Sequence, residues 1–139
     1  MMQKIALISE HASPLAELGS VDAGGQNVYV ANIAAELGRR GCRVDVFTRR
    51  DDERLPTVLA WRPNVQVIHV PAGPARFVAK ESLLPYMDEF GRYVRRFCRA
   101  QVQPYDLVHA NFFMSGTPSD CLICSATMPD MKKLAWTRS

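Results

Sequence analysis

Short apolar runs separated by longer amphipathic stretches set the rhythm of this chain. Lys4–Ser9 is a continuous apolar run after its lysine, as expected of a strand buried on both faces of a parallel sheet. Arg43–Thr48 (R-V-D-V-F-T), Val65–Val70 (V-Q-V-I-H-V, closed by Pro71) and Asp106–Ala110 (D-L-V-H-A) read as three further strands. Between them lie two helical patterns. The first spans Gly25 to Arg40, with Val28, Val30, Ile33, Ala34 and Leu37 on a broad apolar face. Arg39 and Arg40 complement the dipole of its last turn, and Gly41 follows at the usual stop position. The second spans Ser82 to Val102, with Ser82 as N-cap and Pro85 tolerated in the first turn. Its buried stripe is Leu83, Met87, Phe90, Val94 and Phe97, while Arg92, Arg95, Arg96 and Arg99 fall on a solvated face.

This alternation predicts a doubly wound α/β fold with a mainly parallel sheet. Arg49–Asn64 reads as a polar connection broken by Pro56 and Pro63, and Pro71–Ala79 as a loop rich in Pro, Gly and Ala. After Gly116 no helical or alternating period continues, so the fifth strand such a sheet should have is not found there. An uncovered sheet edge and helix face would then favour self-association.

Composition narrows the function classes. The 139 residues suit one domain, large enough to bury a core without a metal or disulfide staple. With 47% apolar and 22% charged residues the chain is an ordinary globular one. No run approaches a membrane span, and Ile5–Ile8 is too short for a signal-peptide core, so a cytoplasmic protein is expected. The net charge of +3 is too small to indicate nucleic acid, and Arg39, Arg40, Arg43, Arg49 and Arg50 lack the interleaved aromatics of such a surface. Among the four cysteines, Cys42 and Cys98 read as buried thiols. Cys121 and Cys124 have a C-x-x-C spacing but no further ligand pair, so no metal is expected. His69, within a strand, reads as a structural histidine.

Ligands of open α/β sheets bind beyond the carboxyl ends of the strands. The segment Glu10–Gly24 leaves the first such end and runs into D-A-G-G-Q-N at Asp22–Asn27. Two glycines at a helix start let backbone N–H groups approach an anion, although a Gly-Gly turn that merely aims the helix fits as well. The pattern is neither G-x-G-x-x-G nor a P-loop, which argues against dinucleotide oxidoreductases and P-loop enzymes.

These residues carry a resemblance. I-S-E-H-A-S-P-L at Ile8–Leu15, D-A-G-G-Q-N-V-Y-V at Asp22–Val30, P-A-G-P at Pro71–Pro74, Lys80–Glu81 and D-L-V-H-A-N-F-F-M-S-G at Asp106–Gly116 resemble the N-terminal half of retaining, nucleotide-sugar-dependent glycosyltransferases of family GT4. The branch is that of sucrose-phosphate synthases and inositol-phosphate N-acetylglucosaminyltransferases. The resemblance covers residues 1–116 and leaves 117–139 as an atypical tail.

It implies the Rossmann-like acceptor-side half of a two-domain GT-B enzyme. The other half, which binds most of the nucleotide-sugar, is expected on a separately encoded chain or to be missing after a reading-frame change. The implied function is transfer of a sugar from a donor such as a UDP-sugar to a sugar or sugar-phosphate acceptor, with no cofactor and little turnover by this half alone. A stand-alone sugar-phosphate-binding module is the alternative.

By the same resemblance Gly24 and Gly25 would lie near the donor diphosphate, and Asn27 and Lys80 would contact a phosphorylated acceptor. The alternative reading of Lys80 is a surface lysine before a helix. Further cleft-lining candidates are His11, Gln26, His109 and Asn111. Where relatives often carry H-x-H-Y-W this chain has H-A-N-F-F, so Asn111 replaces a histidine and Phe112 a tyrosine.

Overall fold

The computed structural model describes residues 3–9, 25–111 and 136–137. The elements are β1 (Lys4–Ile8), α1 (Gly25–Arg39), β2 (Arg43–Arg49), β3 (Val58–Arg62), β4 (Val65–Val70), α2 (Met87–Arg99), β5 (Leu107–Asn111) and β6 (Trp136–Thr137). Two 3-10 turns, Lys80–Ser82 and Leu84–Tyr86, precede α2. The sheet order is β3-β4-β2-β1-β5-β6. All neighbours run parallel except β3, which is antiparallel to β4.

The expected doubly wound sheet is present, because alternate strand residues feed two different cores. Ile5, Leu7, Val44 and Val46 pack with Val30 and Ala34 of α1. Ala6, Ile8, Phe47 and Ile68 pack with Phe90 and Val94 of α2. Every residue of β1 is buried, as its unbroken apolar run requires of a central parallel strand. The chain winds outward from β1 to β2 and β4, then returns through α2 to β5 on the other side of β1. The winding therefore reverses between β1 and β5, and the crevice beyond their carboxyl ends is the place where such sheets bind ligands.

Four expectations are corrected. Arg49–Asn64 is not merely a polar connection, since it contains β3, whose residues V-L-A-W-R alternate between exposed and half-buried as an edge strand does. The Pro63–Asn64 turn closes this hairpin, with Asn64 in the left-handed region at φ 65°. Helix α2 starts at Met87 rather than Ser82, and Tyr86 rather than Ser82 is its N-cap. Pro85 cannot donate to a ladder and its ring restrains the residue before it, so this stretch forms two 3-10 turns instead. The helix ends at Arg99, short of Val102, which is fully exposed. Finally, residues 136–137 of the tail do supply a short strand, pairing with Ala110 and Asn111 at the edge expected to be bare.

Helix α1 stops where its sequence predicts, with Gly41 at φ 86° just past its end. One turn earlier Gly38 is the closest point between helix and sheet. A Cβ there would sit 2.6 Å from the Pro63 carbonyl oxygen and 2.8 Å from Val65 Cγ2. Gly38→Ala should therefore destabilise the fold by about 1–2 kcal/mol, although alanine normally gains about 1 kcal/mol over glycine inside a helix. Urea denaturation would measure it, and a stabilised variant would show that helix and hairpin are not in this contact.

Candidate functional site

The carboxyl edge of the sheet gathers the ends of β1, β2, β4 and β5 and, because α1 runs back antiparallel to the strands, the start of α1. The backbone of Gly25, Gln26 and Asn27 forms its first turn, which contains no acidic residue. The first amides of a helix have no partner within it, and its dipole favours negative charge there. Nothing in the sequence of this turn opposes an anion. Asn111 ends β5, whereas His109 lies in mid-strand beside Leu7, half-buried on the α1 face. Lys80 opens the first 3-10 turn, secured by the Ser82 N–H donating to the Ala79 carbonyl at 2.8 Å. His11 and Gly24 lie outside the described residues, as do Cys121 and Cys124.

The loop from Pro71 to Ala79 leads the chain from the end of β4 to Lys80, and it is held from two sides. From the sheet, Arg49 at the end of β2 donates to the carbonyls of Ala72 (3.2 Å), Pro74 (2.7 Å) and Arg76 (2.5 Å). Its side chain is buried, and that burial lowers its pKa, partly countered by the nearby Asp51 carboxylate. From α2, Glu89 accepts the Gly73 N–H at 3.3 Å. Gly73 sits at φ 71°, where a Cβ would lie 2.7 Å from the Tyr86 ring, so glycine is required there.

At the opposite, amino edge lies a second polar cluster. The Tyr105 hydroxyl donates to Asp45 Oδ2 at 2.5 Å, and Lys4 Nζ stands 4.7 Å above the Tyr105 ring. Lys4 Nζ also donates to Gln101 Oε1 (2.8 Å) and to the Gln103 carbonyl (3.0 Å). This end of a parallel sheet is remote from the ligand edge, and the cluster joins β1, β2 and the approach to β5. Burial lowers the Lys4 pKa, the Asp45 charge opposing, and raises those of Tyr105 and Cys98, the latter to about 12. Cys98 is buried as expected and Cys42 half-buried. His69 is the expected structural histidine, buried with its Nδ1 2.7 Å from the Pro56 carbonyl.

Sequence reasoning missed Arg49 as a buried anchor and the Asp45–Tyr105 pair. The signal was present in both cases: a charged residue inside or closing an otherwise apolar strand. The arginines weighed as a nucleic-acid surface are spoken for in large part. Arg39 and Arg40 pair with Glu36, Arg50 donates to the Asp52 and Glu53 carbonyls, and Arg49 is inside. Among the described residues no group of three or more His, Cys, Asp or Glu could hold a metal ion, and no helix is long and apolar enough to cross a membrane.

Known proteins share this fold. The family described as glycosyl transferase 4-like domain matches residues 24–120. D-inositol 3-phosphate glycosyltransferase of Corynebacterium jeikeium is 44% identical over 113 residues, covering 81% of this chain and 27% of the relative. The protein of the same description from Kineococcus radiotolerans is 43% identical over 116 residues, covering 83% and 27%. Among solved structures, sucrose-phosphate synthase from Thermosynechococcus elongatus superposes with a TM-score of 0.78 at 31% identity, over 98% of this chain and 32% of that one. The chain thus spans about a quarter of the length of these curated relatives.

Proposed function

The chain belongs to the glycosyl transferase 4-like domain family, and from that membership we propose that it is the acceptor-side lobe of a GT-B glycosyltransferase. The lobe receives a phosphorylated polyol or sugar at the carboxyl edge of its sheet. A second Rossmann-like lobe, on the same chain or another, brings the nucleotide-sugar. Transfer breaks the bond between the sugar and the donor diphosphate, and negative charge builds on the departing phosphate. In this reading the amides at the start of α1, from Gly24 and Gly25, face that charge, where preorganised donors act most strongly. Asn27 and Lys80 hold the acceptor, the lysine as a point charge against its phosphate. Gln26, His11 and Asn111 line the cleft. His109, half-buried in mid-β5, stands behind them.

The observation that supports this reading best is topological. The reversal of winding between β1 and β5 puts the acid-free start of α1 at the same sheet edge as the loop that delivers Lys80. D-inositol 3-phosphate is the probe the relatives' names recommend. At about 100 times its Kd it should stabilise the fold by about 2.7 kcal/mol in a thermal-shift titration. Unphosphorylated inositol should give little, and Lys80→Ala should weaken phosphate-dependent binding by about tenfold or more. Equal stabilisation by inositol with and without its phosphate would remove Lys80 from the role.

A further inference from the structure

The loop from Pro71 to Ala79 owes its shape to a residue outside it. A surface loop ordinarily turns its carbonyls to water. This one turns three of them, those of Ala72, Pro74 and Arg76, inward onto the Arg49 guanidinium. The side chain is only 5% exposed, and all its described hydrogen bonds go to main-chain oxygens. Burying a cation against neutral dipoles is unfavourable unless the dipoles are well aimed, so the interaction acts in both directions. The cation needs those carbonyls, and the buried Ala72 carbonyl would lose this partner without it.

Arg49 is the last residue of β2, paired with Val70 in the ladder, and the next amide, that of Arg50, donates to the Val70 carbonyl at 2.8 Å. Its backbone is therefore fixed by the central sheet. Tyr86 and Glu89 hold Gly73 from the α2 side. The loop is a clamped strap, and its far end is Lys80.

We infer that Arg49 is a positioning residue for phosphorylated-acceptor recognition, transmitting the geometry of the sheet through the 72–76 carbonyls to Lys80. The inference rests on the functional reading above, in which Lys80 meets the acceptor phosphate. Arg49 itself does not touch the acceptor, since its guanidinium is enclosed and engaged. Lysine cannot replace it, because an ammonium offers one point of attachment where the planar fork spans three carbonyls.

The test has two independent parts, both on the full chain. In the unliganded protein, hydrogen–deuterium exchange of the 73–82 amides should rise by about tenfold or more in Arg49→Met, with β1 and β5 amides unchanged. Arg49→Lys, which keeps the charge, should loosen the same segment and serves if the methionine variant does not fold. Unchanged exchange in the loop would overturn the clamp whatever the ligand does.

In titrations with D-inositol 3-phosphate, each Arg49 variant should lose about tenfold in affinity. The double variant with Lys80→Ala should bind no worse than Lys80→Ala alone, because the two act in series. A merely structural role would give additive losses, and additive losses would overturn the inference. If the unsubstituted chain binds no phosphorylated inositol, the functional reading fails, and the acceptor role of Arg49 with it. The exchange experiment identifies that case, since the clamp would be seen while the affinity would not.

Discussion

Replacing Phe47 by alanine should remove about 3–5 kcal/mol of stability, a large part of the 5–15 kcal/mol that holds a typical domain together. Phe47 sits near the centre of β2, fully buried, on the face packed by α2. Its ring meets Phe97 edge-on at 5.3 Å between centroids and Tyr105 at 6.1 Å. It therefore joins a central strand, α2 and the segment leading into β5, three pieces that are far apart in sequence. Truncation leaves a cavity bordered by the Phe97 and Tyr105 rings. For a chain of this size the melting temperature should fall by about 10–20 °C, measured by circular dichroism. A fall of only a few degrees would mean that α2 does not pack on this face as described.

The same residue shows why much of the fold could be read from the sequence. Phe47 belongs to a strand whose apolar run is nearly continuous, and such runs are characteristic of parallel strands covered on both sides. Gly41, two arginines and a broad apolar face likewise marked the end of α1, because helix stop signals are local chemistry. What escaped was either weak in pattern or long in range. β3 is an edge strand with no fully buried residue, so V-L-A-W-R between two prolines carries little strand signal. The start of α2 was displaced because Ser82 offered a cap whose use depends on where the chain goes at Pro85. At the candidate site, the helix start at Gly25 was legible from its glycines. The strap before Lys80 was not, because its shape is set by Arg49, more than twenty residues earlier.

The Asp45–Tyr105 pair, sixty residues apart, was equally invisible in the sequence and underlies the second large effect. Tyr105→Phe keeps the ring against Phe47 and beneath Lys4 but removes the hydroxyl that donates to the buried Asp45 carboxylate. A buried carboxylate left short of a donor should cost about 3 kcal/mol at neutral pH.

The pH dependence gives the loss a signature. Burial, reinforced by the Asp45 charge, holds the Tyr105 phenol above its ordinary value of 10.0 and the Cys98 thiol at about 12 against 9.0. Because both folded values lie above the unfolded ones, the native state favours the protonated forms. Their contribution is complete below about pH 9 and is lost as the pH climbs towards 12. Lys4 acts the other way: burial holds its pKa below the ordinary lysine value, so losing its proton as the pH rises relieves the fold and offsets part of the decline. Urea midpoints of the unsubstituted chain should fall between pH 9 and 12. The Tyr105→Phe chain should start lower at pH 7 and decline less steeply, since only the thiol still titrates upward while Lys4 is common to both. Parallel alkaline curves for the two chains would show that the phenol is not buried against Asp45.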